Sequence, residues 1–327
     1  MIRDYTVAKG TPIDTVTKAI NDSVATGASS ATICVAPDPT TATTTCPFGT
    51  YTDTVTVPAG FAAQIWFEER TCLYGATAGV PAFTFNNSSP SSINDFHKLI
   101  CLDTTALYVV NAIVDLKGRP DDGTQPMSEV TCGTGTALDV AVNGKVTSTF
   151  VDYGESVVGV RLRGGFASGA GGDLDASQGM VRQNETGILA SEFASLAKHR
   201  NKVLSNNYIG YALDDSELTF TDALLGGNRI PTCYLGYAPY LPPYVATAGS
   251  TLPAGGFVAQ DDSAVEFLNS RWVGNCTHLN SDLAVLRAHD DADLTVRNST
   301  FDDNQATIVI NASSTTGTLW DNIIADD

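Results

Sequence analysis

The chain has 327 residues, of which 43% are hydrophobic and 17% are charged, and its formal net charge at pH 7 is −18. These values exclude a disordered polymer and leave enough apolar material for a large core. The acidic balance and the lack of a basic stripe exclude a nucleic-acid partner, because phosphates would be repelled. No run reaches the ~20 apolar residues of a membrane span, so no membrane-spanning segment is expected.

The N-terminal region predicts one short amphipathic helix over residues 11–27. Thr11 followed by Pro12 is a typical helix start, and Gly27 is a typical stop. Apolar residues recur between them at helical spacing, namely Ile13, Val16, Ile20 and Val24.

Short strands follow the helix. The runs 32–35, 49–60 and 64–67 are apolar or alternate with a period of two, which is typical of β-strands. A Pro- and Thr-rich loop, 36–47, lies between the first two.

Three segments interrupt the strand pattern. Residues 117–137 and 163–179 are rich in glycine and polar residues and predict long turns or excursions. The largest interruption is an inserted Tyr- and Pro-rich loop at 228–257. Tyrosines on a proline-stiffened loop suit glycan or protein recognition, although a loop that only covers a sheet edge fits the same pattern. The candidate ligand-binding residues are Tyr234, Tyr237, Tyr240 and Tyr244.

A segment that recurs in the last third of the chain predicts a solenoid. Its copies begin at Ala212, Ala259 and Ala288, and a weaker copy begins at Leu319. Each full copy has an acidic pair, a short alternating strand, an Asn or Asp corner and a large apolar residue. Repetition on this scale predicts stacked coils, most regular over 259–327, within one domain that spans the whole chain.

The repeat also predicts which side chains point inward. Period-two alternation places one apolar pair per copy in the core, namely Leu218 and Phe220, Val265 and Phe267, and Leu294 and Val296. Asn269 and Asn298 occupy the same corner of successive copies. Because Asn tolerates the left-handed backbone, we expect these amides to form an internal ladder.

These features resemble a known superfamily. The leading helix, the stretch from Gly49 to Pro58 (Gly-Thr-Tyr-Thr-Asp-Thr-Val-Thr-Val-Pro) and the next apolar strand are similar to the opening of pectin-lyase-like proteins. The C-terminal copies resemble the repeats of β-helical adhesins and polymorphic outer-membrane-type proteins. The resemblance implies an all-β fold, a right-handed parallel β-helix (solenoid) whose short N-terminal helix caps the first coil.

The pectinolytic motifs of that superfamily are missing. The chain contains no Asn-Thr-Asp, Gly-His-Gly or Arg-Ile-Lys sequence, which are the polygalacturonase-like signatures. The pectin-methylesterase motif Asp-Phe-Ile-Phe-Gly is also absent. The usual pectinolytic chemistries are therefore not expected.

The acidic pairs are the remaining candidates for chemistry. Equivalent turns of neighbouring coils would place them about 4.8 Å apart, where like charges repel unless solvent or a cation relieves them. Solvated turns, a Ca²⁺ ladder and a hydrolytic carboxylate pair are the three interpretations. The possible Ca²⁺ ligands are Asp214, Asp215, Asp261, Asp262, Asp290 and Asp291, and the catalytic candidates are Asp261, Asp262, Asp290 and Asp291. No other cofactor is expected.

Seven cysteines are scattered without a CxxC motif, which disfavours zinc and redox sites. Cys34 and Cys46 bracket the 36–47 loop, so a disulfide there would hold it. Further expected pairs are Cys72 with Cys101 and Cys233 with Cys276.

The leading hypothesis is a non-enzymatic, elongated structural or adhesion protein, with glycans as candidate ligands. The alternative is an atypical polysaccharide lyase or glycoside hydrolase. The cysteines and seven Asn-x-Ser/Thr sequons favour an extracellular, cell-surface or virion location. The last copy breaks off at Asp327, so we expect an uncapped C-terminal coil that docks on itself or on another subunit.

Overall fold

The computed structural model describes residues 4–164, 171–184, 186–191, 194–204, 208–212, 216–226, 257–259, 262–273, 286–289, 291–302, 304, 311–313, 317–320 and 323–325. Over these residues the chain is a parallel β-solenoid with a short helix near its N-terminus, which confirms the predicted fold class.

The described part contains one α-helix, α1 (Val16–Ala25), and two short 3₁₀ segments, Pro39–Thr41 and Glu68–Arg70. Its strands, in chain order, are β1 (Tyr5–Val7), β2 (Ser30–Val35), β3 (Thr50–Thr52), β4 (Val55–Val57), β5 (Ala62–Phe67), β6 (Cys72–Tyr74), β7 (Phe83–Asn86), β8 (Ser91–Asn94), β9 (Lys98–Ile100), β10 (Thr105–Val110), β11 (Ile113–Lys117), β12 (Ser128–Thr131), β13 (Thr136–Val140), β14 (Lys145–Thr149), β15 (Val151–Gly154), β16 (Val158–Arg163), β17 (Asp173–Arg182), β18 (Thr186–Ser191), β19 (Ser195–Leu204), β20 (Tyr208–Ala212), β21 (Glu217–Thr221), β22 (Leu224–Gly226), β23 (Phe257–Ala259), β24 (Ala264–Leu268), β25 (Arg271–Val273), β26 (Leu286–His289), β27 (Asp293–Arg297), β28 (Thr300–Asp302), β29 (Asn311–Ser313), β30 (Gly317–Trp320) and β31 (Ile323–Ala325).

The strands form three parallel stacks, and each coil contributes one strand to each stack. The first stack holds β1, β2, β5, β8, β11, β14, the first halves of β17 and β19, then β21, β24, β27 and β30. The second holds β3, β6, β9, β12, β15, the second halves of β17 and β19, then β22, β25, β28 and β31. The third holds β4, β7, β10, β13, β16, β18, β20, β23, β26 and β29.

Helix α1 lies near the start of the stack but begins later than predicted. Thr15, not Thr11, is the N-cap, and its hydroxyl accepts a hydrogen bond from the Lys18 amide at 3.2 Å. The Thr11 hydroxyl instead donates to the Ala8 carbonyl at 2.7 Å, which holds Thr11 in the preceding turn. Gly27, with φ of +82°, follows the helix end as predicted.

Two predicted excursions are shorter than the sequence indicated. The segment 117–137 contains all of β12 and the start of β13, and the segment 163–179 contains the first part of β17. Short strands between long turns give too few alternating residues for a periodic signal, so the strands inside these segments were missed.

The predicted inward residues of the repeat copies are confirmed. Leu218, Val265 and Leu294 are in register with one another, as are Phe220, Phe267 and Val296. All six side chains are buried. Aromatic rings stack along the axis, with the centroids of the Phe220 and Phe267 rings 4.8 Å apart.

The amide ladder exists, but it lies outside the core. Asn269 and Asn298 have left-handed backbones, with φ of +50° and +48°, as predicted. The Asn298 amide donates to the Asn269 side-chain oxygen at 3.4 Å, and both residues are exposed. The residues that follow these two asparagines, Ser270 and Ser299, are buried. The Ser270 backbone amide donates a hydrogen bond to the Ser299 hydroxyl at 3.1 Å.

Two disulfides join successive coils and replace two of the predicted pairs. Cys46 bonds to Cys72, and Cys101 bonds to Cys132. The predicted Cys34–Cys46 and Cys72–Cys101 pairs are wrong. Cys34 lies buried in β2 and takes part in neither bond.

The stacking explains this pairing. Ile100 is in register with Thr131, so Cys101 and Cys132, which follow them, face each other across neighbouring coils. Cys72, in contrast, begins β6, whereas Cys101 follows the end of β9, so these two lie at opposite ends of paired strands. The predicted Cys233–Cys276 pair lies outside the described residues.

Replacing Phe267 with Ala tests the stacked core. Its ring contacts those of Phe220, Phe257 and Trp272, so its removal should leave a cavity and lower the free energy of unfolding by about 3–5 kcal/mol. Urea denaturation measures the change, with the partly exposed neighbour Glu266→Ala as control. A loss at Phe267 no larger than at Glu266 would show that this face is not the core.

Candidate functional site

The structure describes only two of the six predicted acidic ligands. Asp262 and Asp291 are exposed and have left-handed backbones, with φ of +57° and +62°, at the corner between the third and first stacks. No group of three or more His, Cys, Asp or Glu side chains comes together within the described ranges. Outside the described residues lie the other predicted ligands Asp214, Asp215, Asp261 and Asp290, and the tyrosines Tyr234, Tyr237, Tyr240 and Tyr244.

A row of four charged residues crosses the second stack elsewhere in the molecule. Glu129 in β12 is in register with Lys98 in β9 on one side and with Asp152 in β15 on the other. Arg182, at the end of β17, is in register with Gly154. The four residues of the row therefore come from four successive coils, and Arg182 is displaced by two positions along its strand, because Met180 is the residue in register with Asp152.

The strand alternation decides which way the row faces. The neighbours Leu99, Val130, Tyr153 and Val181 are core residues. Successive side chains of a strand point to opposite faces, so the charged row lies on the outer face of the stack. Even so, the side chains of Glu129 and Asp152 are only 4% and 1% exposed.

The four charges form two ion pairs whose carboxylates are next to each other. Lys98 Nζ binds Glu129 Oε2, and Arg182 Nε binds Asp152 Oδ2. Along the axis the signs are plus, minus, minus, plus. The two carboxylates are therefore direct neighbours, and each has only one oxygen on a cation.

The other carboxylate oxygens lack partners. Glu129 Oε1 and Asp152 Oδ1 are buried and have no hydrogen-bond partner among the described residues. Both lie near Gly154, at 3.6 Å and 3.5 Å from the position where a Cβ atom on this residue would be. An unpaired buried carboxylate oxygen lowers the stability of the folded state, so the Glu129–Asp152 contact is electrostatically unfavourable.

The buried environment favours the protonated form of the Asp152 carboxyl. Burial raises the pKa of the Asp152 carboxyl to about 7, and the charge of Glu129 adds to the rise while Arg182 opposes it. A carboxyl that titrates near neutrality beside a second carboxylate has the properties of an acid–base pair, and also those of a cation site.

A short excursion shields the N-terminal end of the row. Arg70 is buried, and its guanidinium donates to the carbonyls of Pro126 at 2.8 Å and Pro120 at 3.0 Å. The excursion that connects β11 to β12 is thereby tied beside the row. His97 precedes Lys98 and is also buried, and burial, then Lys98 and Arg70, lower the pKa of its imidazole.

A second cross-coil pair occupies the third stack. Arg163 contacts Asp139 through two hydrogen bonds, Nε to Oδ1 at 2.9 Å and Nη2 to Oδ2 at 3.1 Å. The Asp139 side chain is 6% exposed. Both of its oxygens are bound, so it lacks the unpaired oxygen that distinguishes the Glu129–Asp152 pair.

The sequence contained a signal for this row that went unused. Glu129 and Asp152 each stand between residues of alternating strands, in Ser-Glu-Val and Val-Asp-Tyr. Glu129 was missed because its strand lies in the segment read as an excursion. The pairing of its side chain with Lys98 and Asp152 depends on the register between coils, which no local pattern gives.

Replacing Asp152 with Asn should change how stability depends on pH in metal-free protein. The folded carboxyl keeps its proton up to about pH 7, whereas the unfolded one loses it near pH 4. The protonated Asp152 carboxyl therefore contributes its full stabilisation of the folded state below about pH 4. This stabilisation is lost as the pH rises to about 7, and the loss amounts to up to roughly 4 kcal/mol. The stability of the wild type relative to Asp152→Asn should fall over this range.

Denaturant unfolding at pH 4 to 8 in the presence of a chelator measures this difference. Asp262→Asn is the matched control, because Asp262 is an exposed aspartate in a corner. A difference between wild type and Asp152→Asn that stays constant with pH would contradict the raised pKa.

Comparison with known proteins leaves the family open. The chain matches no protein-family model, no curated protein and no solved structure. The parallel β-solenoid is established by its own strand pairing, while membership in the pectin-lyase-like superfamily stays a prediction.

Proposed function

We propose that this chain is a non-enzymatic, elongated structural or adhesion protein that works outside the cell or on a virion surface. The observation that supports the proposal is the set of contacts that join successive coils along the solenoid axis. Covalent bonds, ion pairs and side-chain hydrogen bonds all connect one coil to the next, which is the arrangement of a stiff rod.

The disulfides support the proposed setting. Both described disulfides bridge neighbouring coils, and stable disulfides are typical of oxidising compartments. They support an extracellular or surface location. Within the part of the chain that the structure describes, no helix is both long enough and apolar enough to cross a membrane.

Exposed polar side chains also bind along the axis. The Asn143 amide donates to the Asn111 side-chain oxygen at 3.0 Å, and Lys145 pairs with Asp173 at 3.0 Å. Each such contact is weak in water. Repeated over successive coils, these contacts stiffen the flank and leave it smooth, which suits a shaft.

Glycan or protein recognition is assigned to loops on this shaft. The Tyr- and Pro-rich insertion remains the proposed contact surface. A shallow depression of about 310 Å³ on the described flank also offers both polar and apolar contacts. It is lined by the side-chain amides of Asn111 and Asn143 and by Ile113, which is 49% exposed.

A second candidate function is polysaccharide cleavage, and the Glu129–Asp152 pair favours it. One carboxyl with a pKa of about 7 beside a second carboxyl group provides the two groups that glycoside hydrolysis needs. Burial of both side chains opposes it, because a sugar could not reach them unless the residues that cover them moved. We therefore rank it second.

A panel of neutral and acidic polysaccharides separates these functions. The rod proposal predicts no new reducing ends and no unsaturated products from wild-type protein, with or without a chelator. Cleavage by wild type that disappears in Glu129→Gln and Asp152→Asn would establish the second function instead. Asp139→Asn is the control, because Asp139 belongs to the fully satisfied pair in the third stack.

Binding to a glycan array tests the recognition loop. Changing Tyr234, Tyr237, Tyr240 and Tyr244 to Ala should abolish binding, because it removes the rigid aromatic contact area. The melting temperature should stay close to that of wild type. Glycan binding that survives the fourfold change would contradict the assignment of recognition to this loop.

A further inference from the structure

The outer face of the second stack contains a small gap lined by oxygen atoms. The three atoms nearest to a Cβ placed on Gly154 are Arg182 O at 3.2 Å, Asp152 Oδ1 at 3.5 Å and Glu129 Oε1 at 3.6 Å. They come from three successive strands of the stack, β12, β15 and β17. Only glycine leaves this space open.

Two of these three oxygens are unsatisfied. Glu129 Oε1 and Asp152 Oδ1 have no hydrogen-bond partner among the described residues, although both side chains are more than nine-tenths buried. Lys98 Nζ and Arg182 Nε bind the other oxygen of each carboxylate, Glu129 Oε2 and Asp152 Oδ2. Two carboxylate oxygens that face one buried space without a partner can be relieved by a positive charge between them, either a proton or a metal cation.

We propose that this gap binds one hard metal cation, with Ca²⁺ preferred over Mg²⁺. Carboxylate and main-chain carbonyl oxygens are the ligands that hard cations take in proteins. Ca²⁺ accepts irregular oxygen geometry at ~2.3–2.6 Å, whereas Mg²⁺ demands near-ideal octahedral geometry at ~2.0–2.1 Å and usually keeps several waters. Three protein oxygens grouped in a buried place therefore suit Ca²⁺ better than Mg²⁺.

The charge balance sets the affinity. Lys98 and Arg182 already offset the two carboxylate charges. The electrostatic attraction for a cation is therefore weaker than in a site lined only by acidic residues. We expect a dissociation constant of roughly 10⁻⁴–10⁻³ M, the range of extracellular calcium modules. The site is separate from the acidic pairs of the repeat copies, and the inference does not depend on the proposed function.

Gly154→Ala is the sharpest test, because it fills the gap without removing a ligand. Gly154 is not among the residues with a positive φ, so Ala fits its backbone. The added methyl would lie against all three oxygens and exclude an ion.

Calorimetric titration with calcium at pH 8 should show one more ion bound by wild type than by Gly154→Ala. About 10 mM CaCl₂, compared with chelator, should raise the wild-type melting temperature by about 2–4 °C and that of the variant by less. Glu129→Gln provides a second variant with the same expected loss, should Gly154→Ala fail to fold.

The double variant Asp262→Asn/Asp291→Asn controls for general attraction of cations to an acidic surface, since both residues are exposed. It should keep the calcium response. The proposal is overturned if wild type shows no calcium response, if Gly154→Ala responds fully, or if equal concentrations of Mg²⁺ stabilise wild type as strongly as Ca²⁺.

Discussion

Parallel pairing in a fixed register between successive coils is the constraint on which the rest of this structure depends. It places the same strand position of each coil directly above the last, about 4.8 Å apart. Inside the solenoid this is favourable, because Phe220 stacks on Phe267 and Trp272 stacks on Phe301. A one-residue slip in any coil would turn its apolar residues outward, so the core enforces the register.

On the outer faces the same constraint has a different consequence. Stacked charges must alternate in sign, or some other group must relieve their repulsion. The Lys145–Asp173 and Asp139–Arg163 pairs follow this rule. The second stack breaks it where Glu129 and Asp152 come together, and Gly154 beside them has no side chain to fill the space near their oxygens. A local exception to an otherwise regular pattern of pairing is therefore what marks this site.

The sequence predicts the parts of this structure that repeat visibly. The copies that begin at Ala212, Ala259 and Ala288 give the alternation, the inward residues and the left-handed corners correctly. The N-terminal half has the same architecture but no visible repeat, because its coils differ in length and in the residue at each corner. Phe150 and Gln178, for example, adopt the left-handed conformation that Asn and Asp take elsewhere.

The candidate site and the disulfides were beyond such reasoning for a common physical reason. Which cysteine meets which, and which charges become neighbours, is decided by contacts between residues about one coil apart. Local composition suggested that Cys34 and Cys46 would close a loop, but the stack brings Cys46 to Cys72 instead. The environment of Glu129 is likewise set by Lys98 and Asp152, which lie on either side of it in the neighbouring coils.

Disulfide mapping of the purified, unreduced protein tests this register most directly. The Cys101–Cys132 bond joins the ends of β9 and β12, the two strands that hold Lys98 and Glu129. Proteolysis followed by mass spectrometry should recover peptides linked through Cys46–Cys72 and Cys101–Cys132. Recovery of Cys34–Cys46 or Cys72–Cys101 peptides instead would contradict the register and, with it, the assembly of the charged row.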